Sequence, residues 1–400
     1  IVIGLRHYLP ERAVSEVRSL LAGQWRSGMV PHILYPAGAS SYFPDPGYWL
    51  TSRSLAAGDM ETSGLTQPPL LATALRLLFD TNPHHPGVEE LARESLPKLL
   101  AWHRWLHEAR DPEGTGLVSI IHPWESGMDN SPRFTAPLAA LGELDPPPYR
   151  RRDTQAVPAD ERPLQEDYDR FMHLIGLYRD VHWDDARVWQ VAPFLVQDVL
   201  FNSVLYRANS DLRKLSLHLG GETTAIDAWL GAARGAFTER LWNDEEGTFY
   251  DFDLRSGQQV QMDTAASLAP LYAGACSAEQ ARALVQRITD DGKYARGNGS
   301  RFMLPSVSKS SPHFEPRRYW RGPIWLNVNW LLQDGLRRYG YGNLAADLLS
   351  HSLHLVRLAG FREYFDPRDG SGRGATEFSW SAALTLDNLV QATGWRREVD

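Results

Sequence analysis

A mainly α chain wound into a barrel of helical hairpins is what this sequence predicts, on three observations. Apolar residues recur at helical spacing through most of it, alternating strand-like runs are few and short, and one kind of loop returns before every second helix.

Taken in order, the periodicity predicts amphipathic helices over residues 14–24, 70–79, 88–109, 168–178, 225–241, 278–288 and 343–358. Strand patterns are confined to 117–121 and to 248–253, the latter running into an Arg255-Ser256-Gly257 turn. The opening Ile1-Val2-Ile3-Gly4-Leu5 reads as the interior of an apolar helix, without the basic segment or cleavage site of a signal peptide, so the chain is expected to be truncated at its N-terminus.

The recurring loops are Ser27-Gly28-Met29-Val30-Pro31-His32, Ser63-Gly64-Leu65-Thr66-Gln67-Pro68-Pro69, the segment from Trp124 to Pro132, Gln197-Asp198, Asp263-Thr264-Ala265, Tyr319-Trp320-Arg321-Gly322-Pro323 and Glu377-Phe378-Ser379-Trp380. Most successive pairs stand about 55 to 75 residues apart, the length of two helices with their connections. Their polar, small and Pro residues suit helix starts. Inner helices of a barrel would then present all these loops at one end. A helical solenoid is the alternative architecture; the loops are not alike residue for residue, as a strict repeat would be. No domain boundary is visible, so residues 1–400 are read as a single domain. The Pro- and charge-rich stretch 144–162, extended to 170, is read as an insertion covering the barrel mouth.

Composition narrows the function. With 43% hydrophobic and 22% charged residues the chain can bury a sizeable core. A net charge of −8 without a basic block argues against nucleic acid as a partner. No apolar run approaches the roughly 18 residues of a membrane span. Cys276 is the single cysteine, which rules out an internal disulfide or a Cys-based zinc site and fits a reducing cytoplasm. Fourteen Trp and fifteen Tyr offer flat faces suited to stacking on sugars, an aromatic-rich core being the alternative.

No P-loop, dinucleotide fingerprint, HExxH or nucleophile elbow is present. His103 and His107 have metal-ligand spacing on a helix but no third ligand nearby, so they read as ordinary helix residues; neither metal nor cofactor is expected. What remains is carboxylates among aromatics. Asp129 follows a glycine turn, where it is either a reacting group or the cap of a helix opening at Pro132. Glu363, in Arg362-Glu363-Tyr364-Phe365-Asp366-Pro367, is either a tuned acid or base or a loop-stabilising acceptor. Glycoside hydrolysis needs two carboxylates flanking one bond, and loops gathered at one barrel end would bring these two together.

Three segments, Trp124-Glu125-Ser126-Gly127-Met128-Asp129-Asn130-Ser131-Pro132-Arg133-Phe134, Tyr319-Trp320-Arg321-Gly322-Pro323-Ile324-Trp325 and Glu363-Tyr364-Phe365-Asp366-Pro367, together resemble family 63 of the glycoside hydrolases. Within it the likeness is to bacterial glucosylglycerate and mannosylglycerate hydrolases, in the same order along essentially all the chain. The resemblance implies an (α/α)₆ barrel of the six-hairpin glycosidase type and hydrolysis of a small α-linked sugar acid with inversion. It implies Asp129 as general acid and Glu363 as general base. Arg162 and Tyr168, in Asp160-Glu161-Arg162 through Arg170, would hold the glycerate carboxylate. Tyr42, Gln67, Trp124, Tyr319, Trp320, Gly322 and Trp325 match the family's sugar pocket. A Trp- and Asp-containing motif at the family's first inner helix precedes the point where this chain starts, which implies a pocket open on one side. Phe378 stands where relatives often carry a polar residue. A neutral α-glucosidase or α-mannosidase of the same fold, a non-catalytic carbohydrate-binding remnant and a helical scaffold are the competing readings. A cytoplasmic location is expected, and the sequence leaves oligomeric state open, a homo-oligomer included.

Overall fold

The computed structural model describes residues 1–37, 42–155 and 157–394. Its helices are α1 (Val2–Leu5), α2 (Pro10–Ala22), α3 (Pro46–Trp49), α4 (Leu71–Thr81), α5 (Pro86–Ala109), α6 (Thr135–Ala139), α7 (Gln165–Asp180), α8 (Asp185–Val191), α9 (Val199–His218), α10 (Thr224–Ala236), α11 (Pro270–Ala273), α12 (Ala278–Thr289), α13 (Leu326–Arg338), α14 (Gly342–Ala359) and α15 (Ser379–Thr393). Six of them form the inner ring. Helix α1 packs on α4, α4 on α9, α9 on α11, α11 on α13, α13 on α15, and α15 returns onto α1. Outside them, α2 and α5 back α4, α10 backs α9, and α14 backs α13 and α15. This is the (α/α)₆ arrangement, in which an outer layer lets the inner helices be buried on every side.

The ring closes at Gly4. A Cβ there would lie 2.3 Å from the Ala383 carbonyl oxygen, so only glycine lets α1 approach α15 this closely. Asp387 of α15, buried, accepts from Arg6 at 2.6 Å and from Trp330 of α13 at 2.6 Å, with His7 at 2.7 Å. Helix α9 shows what inner position does to a sequence: fifteen of its twenty residues are buried, so no polar stripe marks its outer face.

The seven predicted helices are present with shifted ends. Residues 225–241 divide into α10 and a wider π-type turn over Phe237–Leu241. The 248–253 segment forms two short strands, Thr248–Phe249 and Asp251–Asp253, the second paired antiparallel with Gln258–Val260. Residues 117–121 form no strand; Ile120 makes one isolated bridge to Val196, because the segment is pinned by other means to α9, where Asn202 exchanges hydrogen bonds with both backbone groups of Val118. In the 144–170 segment, residues 165–170 are the opening turns of α7, so the irregular part ends near Leu164; residue 156 lies outside the described residues. That irregular strap is tied down at several points. Tyr48 donates to Pro147 O at 3.2 Å, Phe43 stacks on Tyr149, Tyr364 donates to Glu161 O at 2.7 Å, and Arg318 donates to Arg162 O at 3.2 Å.

Among the described residues no helix is long and apolar enough to cross a membrane. Connections that lead into inner helices carry the candidate residues and meet one another, Gln67 on Trp124, Tyr319 on Asp129. Gln67 precedes α4, Asp129 lies between α5 and α9, Tyr319 to Trp325 lead into α13, and Glu363 leads into α15.

Candidate active site

The loop bearing Asp129 is built on buried polar anchors. His122 starts a 3₁₀ turn over Pro123–Ser126; its Nδ1 accepts from Trp124 N at 3.0 Å and its Nε2 donates to Phe171 O at 3.1 Å. Burial lowers this imidazole to about 3, so it stays in the neutral form that has one donor and one acceptor. Glu125, 1% exposed, accepts a forked pair from Arg110 at 3.0 and 2.9 Å, plus Thr66 N at 3.2 Å and Ile121 N at 2.9 Å. A buried carboxylate demands such company, and here it joins the Asp129 loop to the Gln67 loop. Gln67 closes the same joint by donating to Trp124 O at 2.6 Å. Beyond Asp129, Arg133 is buried against Asp198 at 2.8 Å and Asp251 at 2.6 Å. Burial drives the Asp251 carboxyl upward; Arg133 opposes that and the Asp198 charge adds to it.

Asp129 itself is half-buried and accepts from the Tyr319 hydroxyl at 3.1 Å. Loss of solvent pushes its carboxyl up to about 7; the Tyr319 hydrogen bond and the Arg162 charge draw it down, and the Glu363 charge adds to the rise. Burial, then the charges of Asp129 and Glu363, hold the Tyr319 phenol well above its ordinary range, so it remains a donor. A carboxyl at about 7 is protonated half the time at neutral pH and can give a proton up at little cost.

Glu363, 5% exposed, lies in the connection from α14 to α15. Arg162 grips it with a forked pair at 3.2 and 2.8 Å, and Ala375 N donates to Oε2 at 2.9 Å. Gly374, at φ +64°, makes room: a Cβ there would stand 2.4 Å from Glu363 Oε2. Glu161 secures the turn by accepting from Gly374 N at 2.9 Å and from Arg373 at 3.2 Å. The Arg162 guanidinium lies 4.9 Å above the Tyr319 ring, so Tyr319 stands between the two carboxylates, bonded to one and stacked under the other's partner.

The aromatic expectations divide. Tyr42, 57% exposed, faces the same charges: loss of solvent and the proximity of Asp129 raise its phenol. Trp124 is half-buried with its ring edge on Tyr168 at 5.9 Å. Tyr168, 6% exposed, stacks on Tyr149 and carries the Arg151 guanidinium 4.4 Å above its ring. Trp320, Gly322 and Trp325 depart from the expectation that they line the sugar pocket. Both Trp rings are 1% exposed and stack on each other at 3.7 Å and 5°, while Trp325 Nε1 donates to Tyr319 O at 3.0 Å. Gly322 is buried with the Glu315 carbonyl where a Cβ would be, 2.6 Å away. These three support Tyr319 from beneath, because a large indole at the entry of an inner helix gains more from burial than from facing solvent.

Arg162, expected to face the substrate carboxylate, has its fork on Glu363 in this structure, with Nε buried and unpartnered. His103 and His107 are both engaged by Asn209, at 2.7 and 3.1 Å. A cleft of about 580 Å³ opens on the other side of the strap, lined by Phe43, Tyr48, Tyr149, Arg150 and Arg179, away from both carboxylates. Sequence reasoning missed His122, Glu125, Arg110, Asn130, Arg151 and Glu161 as parts of the site. His122-Pro123 carries a helix-start signal; Asn130, whose Oδ1 accepts from Trp320 N at 3.1 Å, carries only a place beside Asp129.

Residues 1–381 match the family described as mannosylglycerate hydrolase MGH1-like glycoside hydrolase domain. The chain is 45% identical to a mannosylglycerate hydrolase of Thermus thermophilus over 378 residues, covering 94% of this chain and 89% of that protein. It is 33% identical to a glucosylglycerate hydrolase of Mycolicibacterium hassiacum, covering 97% of this chain and 90% of that protein. Among solved structures it resembles a family 63 mannosylglycerate hydrolase of Thermus thermophilus in complex with Tris and D-glycerate, at TM-score 0.90 and 44% identity, over 96% of this chain and 90% of that one. Neutral trehalase of Saccharomyces cerevisiae shares the fold at TM-score 0.52 and 20% identity.

Proposed function

Since this chain belongs to the mannosylglycerate hydrolase MGH1-like glycoside hydrolases, we propose that it hydrolyses an α-linked glycosylglycerate to the free sugar and glycerate, with inversion at the anomeric carbon. The observation that carries the reading is the pairing of Asp129, raised to about 7, with Glu363 across Tyr319. In this scheme Asp129 gives its proton to the glycosidic oxygen as the bond from that oxygen to C1 breaks. Water attacks C1 from the opposite face and passes a proton to Glu363. Solvent then restores the proton to Asp129 and takes the other from Glu363. Inverting pairs stand roughly 6.5–9.5 Å apart to admit the water. In this reading Gln67, Trp124 and Tyr42 touch the sugar, and Arg162 and Tyr168 receive the glycerate carboxylate, which a guanidinium fork matches in shape and charge. That the related family 63 enzyme was captured with D-glycerate supports an acid-accepting subsite here. The strap over residues 144–164 acts as the lid above this subsite, and a cytoplasmic location accompanies the small-solute substrate.

The test is hydrolysis of mannosylglycerate and glucosylglycerate followed at the anomeric proton by NMR. Initial release of the β-sugar, abolished in both Asp129→Asn and Glu363→Gln, is expected. Release of the α-sugar, or undiminished turnover in either variant, overturns the assignment.

A further inference from the structure

The forked pair between Arg162 and Glu363 places the candidate base under a counter-charge when no substrate is bound. Glu363 Oε1 accepts from Arg162 at 3.2 Å, and Oε2 accepts both from Arg162 at 2.8 Å and from Ala375 N at 2.9 Å. An ionised carboxylate has about four lone-pair positions, and three of these are already taken. A base in this state is poorly placed to strip a proton from water.

What holds Arg162 is specific to this arrangement. It comes from the strap, not from the ring, and it is positioned by its carbonyl, which accepts from Arg318 at 3.2 Å, and by the Tyr319 ring beneath it. Its Nε is buried without a partner, so the guanidinium has a donor to offer a second acceptor. Glu161, its neighbour, is fastened to the opposite side of the Glu363 turn through Gly374 and Arg373. The backbone of the strap is thus fixed on both sides of Arg162.

We propose that Arg162 masks Glu363 in the free enzyme and that a carboxylate on the bound substrate draws the guanidinium away, releasing the base for catalysis. This rests on the assignment of Glu363 as base given above, and it adds a consequence: the negative charge of the substrate enters the chemical step as well as binding. A neutral α-glycoside leaves Arg162 on Glu363 and turns over slowly even when saturating. The same charge that recognises the aglycone therefore licenses the reaction.

The proposal is tested with a neutral substrate that leaves the acid subsite empty, methyl α-mannoside or methyl α-glucoside, on the whole chain. Free D-glycerate added to wild type is expected to raise kcat for the neutral glycoside about tenfold, the scale of one charged hydrogen bond. Arg162→Ala is expected to raise turnover of the neutral glycoside by a similar factor while lowering that of the glycosylglycerate. Inhibition by glycerate with no activating phase, or a fall of both activities in Arg162→Ala, overturns it. Arg162→Gln, which keeps a planar polar end without charge, separates lost folding from lost charge: it is expected to follow Arg162→Ala on the neutral glycoside. Glu363→Gln distinguishes the two levels, since activity surviving there removes the base assignment itself, whereas its loss together with an inert glycerate response removes only the masking.

Discussion

The Tyr319 hydroxyl donates to Asp129 Oδ2 at 3.1 Å, and that single bond stabilises the charged form of a carboxyl whose burial favours the neutral one. Removing it leaves burial opposed only by the backbone N–H of Asp129 and the charge of Arg162. Tyr319→Phe is therefore expected to move the descending, high-pH limb of the kcat profile upward, from near 7 by about one pH unit, with kcat reduced because the acid loses an aligning contact. A pH–rate series on the two proteins checks it; a limb that stays in place counts against Asp129 as the titrating acid.

Stability responds to the same group with a definite sign. Unfolded, Asp129 ionises near its ordinary value of about 3.9; folded, it does so at about 7. The native state binds more protons between those values, so stability is greatest below the lower one and falls as pH rises through the upper one. Asp129→Asn abolishes the dependence and is expected to be more stable than wild type at pH 8, by about 4 kcal/mol at most and less as solvent screens this half-buried group, with the difference shrinking toward pH 4. Chemical denaturation at the two pH values measures it.

Gly374→Ala is expected to cost activity more than stability. Its new methyl would meet Glu363 Oε2 at 2.4 Å and must displace the carboxylate or the turn. A shift of about 1 Å in a reacting group commonly costs on the order of a hundredfold in rate. The predicted signature is a fall in kcat with little change in melting temperature beyond the roughly 1–2 kcal/mol of left-handed strain.

Arg133→Met is expected to do the reverse, unfolding the protein readily before any kinetic change can be read. It would strand Asp198 and Asp251 together in the interior, and an uncompensated buried charge costs about 3–5 kcal/mol. Asp251→Asn is expected to cost less, because its carboxyl is already pushed toward the neutral state. Urea midpoints for the two variants rank them.

The outer layer was legible in the sequence, whereas of the inner ring only α4 showed its period. Helices α2, α5, α10, α12 and α14 have one wet face, and their 3.6-residue period can be read directly. Helices α9, α13 and α15 were inferred only from the loops that precede them; in α9, burial of fifteen of twenty residues removes the period, and Asn202 and Asp211 sit in that interior beside Val and Leu. At the site, the carboxylates Asp129 and Glu363 were visible through their surrounding motifs. The roles of Trp320 and Trp325 were not, because an indole that stacks on a sugar and one that stacks on another indole have the same sequence signature. Nor could spacing show that Arg162 spends its fork on Glu363, a pairing across 201 residues that only the closed ring creates.

The bond from Arg6 to Asp387 spans 381 residues, so the ring's closing seam joins two helices far apart along the chain. At equilibrium such distance costs little, since each doubling of a loop adds only about 0.6 kcal/mol. In time it costs more. During synthesis Gly4 and Arg6 must wait for Ala383 and Asp387 to emerge, while α4 and α9 can already meet. The ring therefore cannot be closed early, and the apolar α1 stays open to wrong partners throughout that interval.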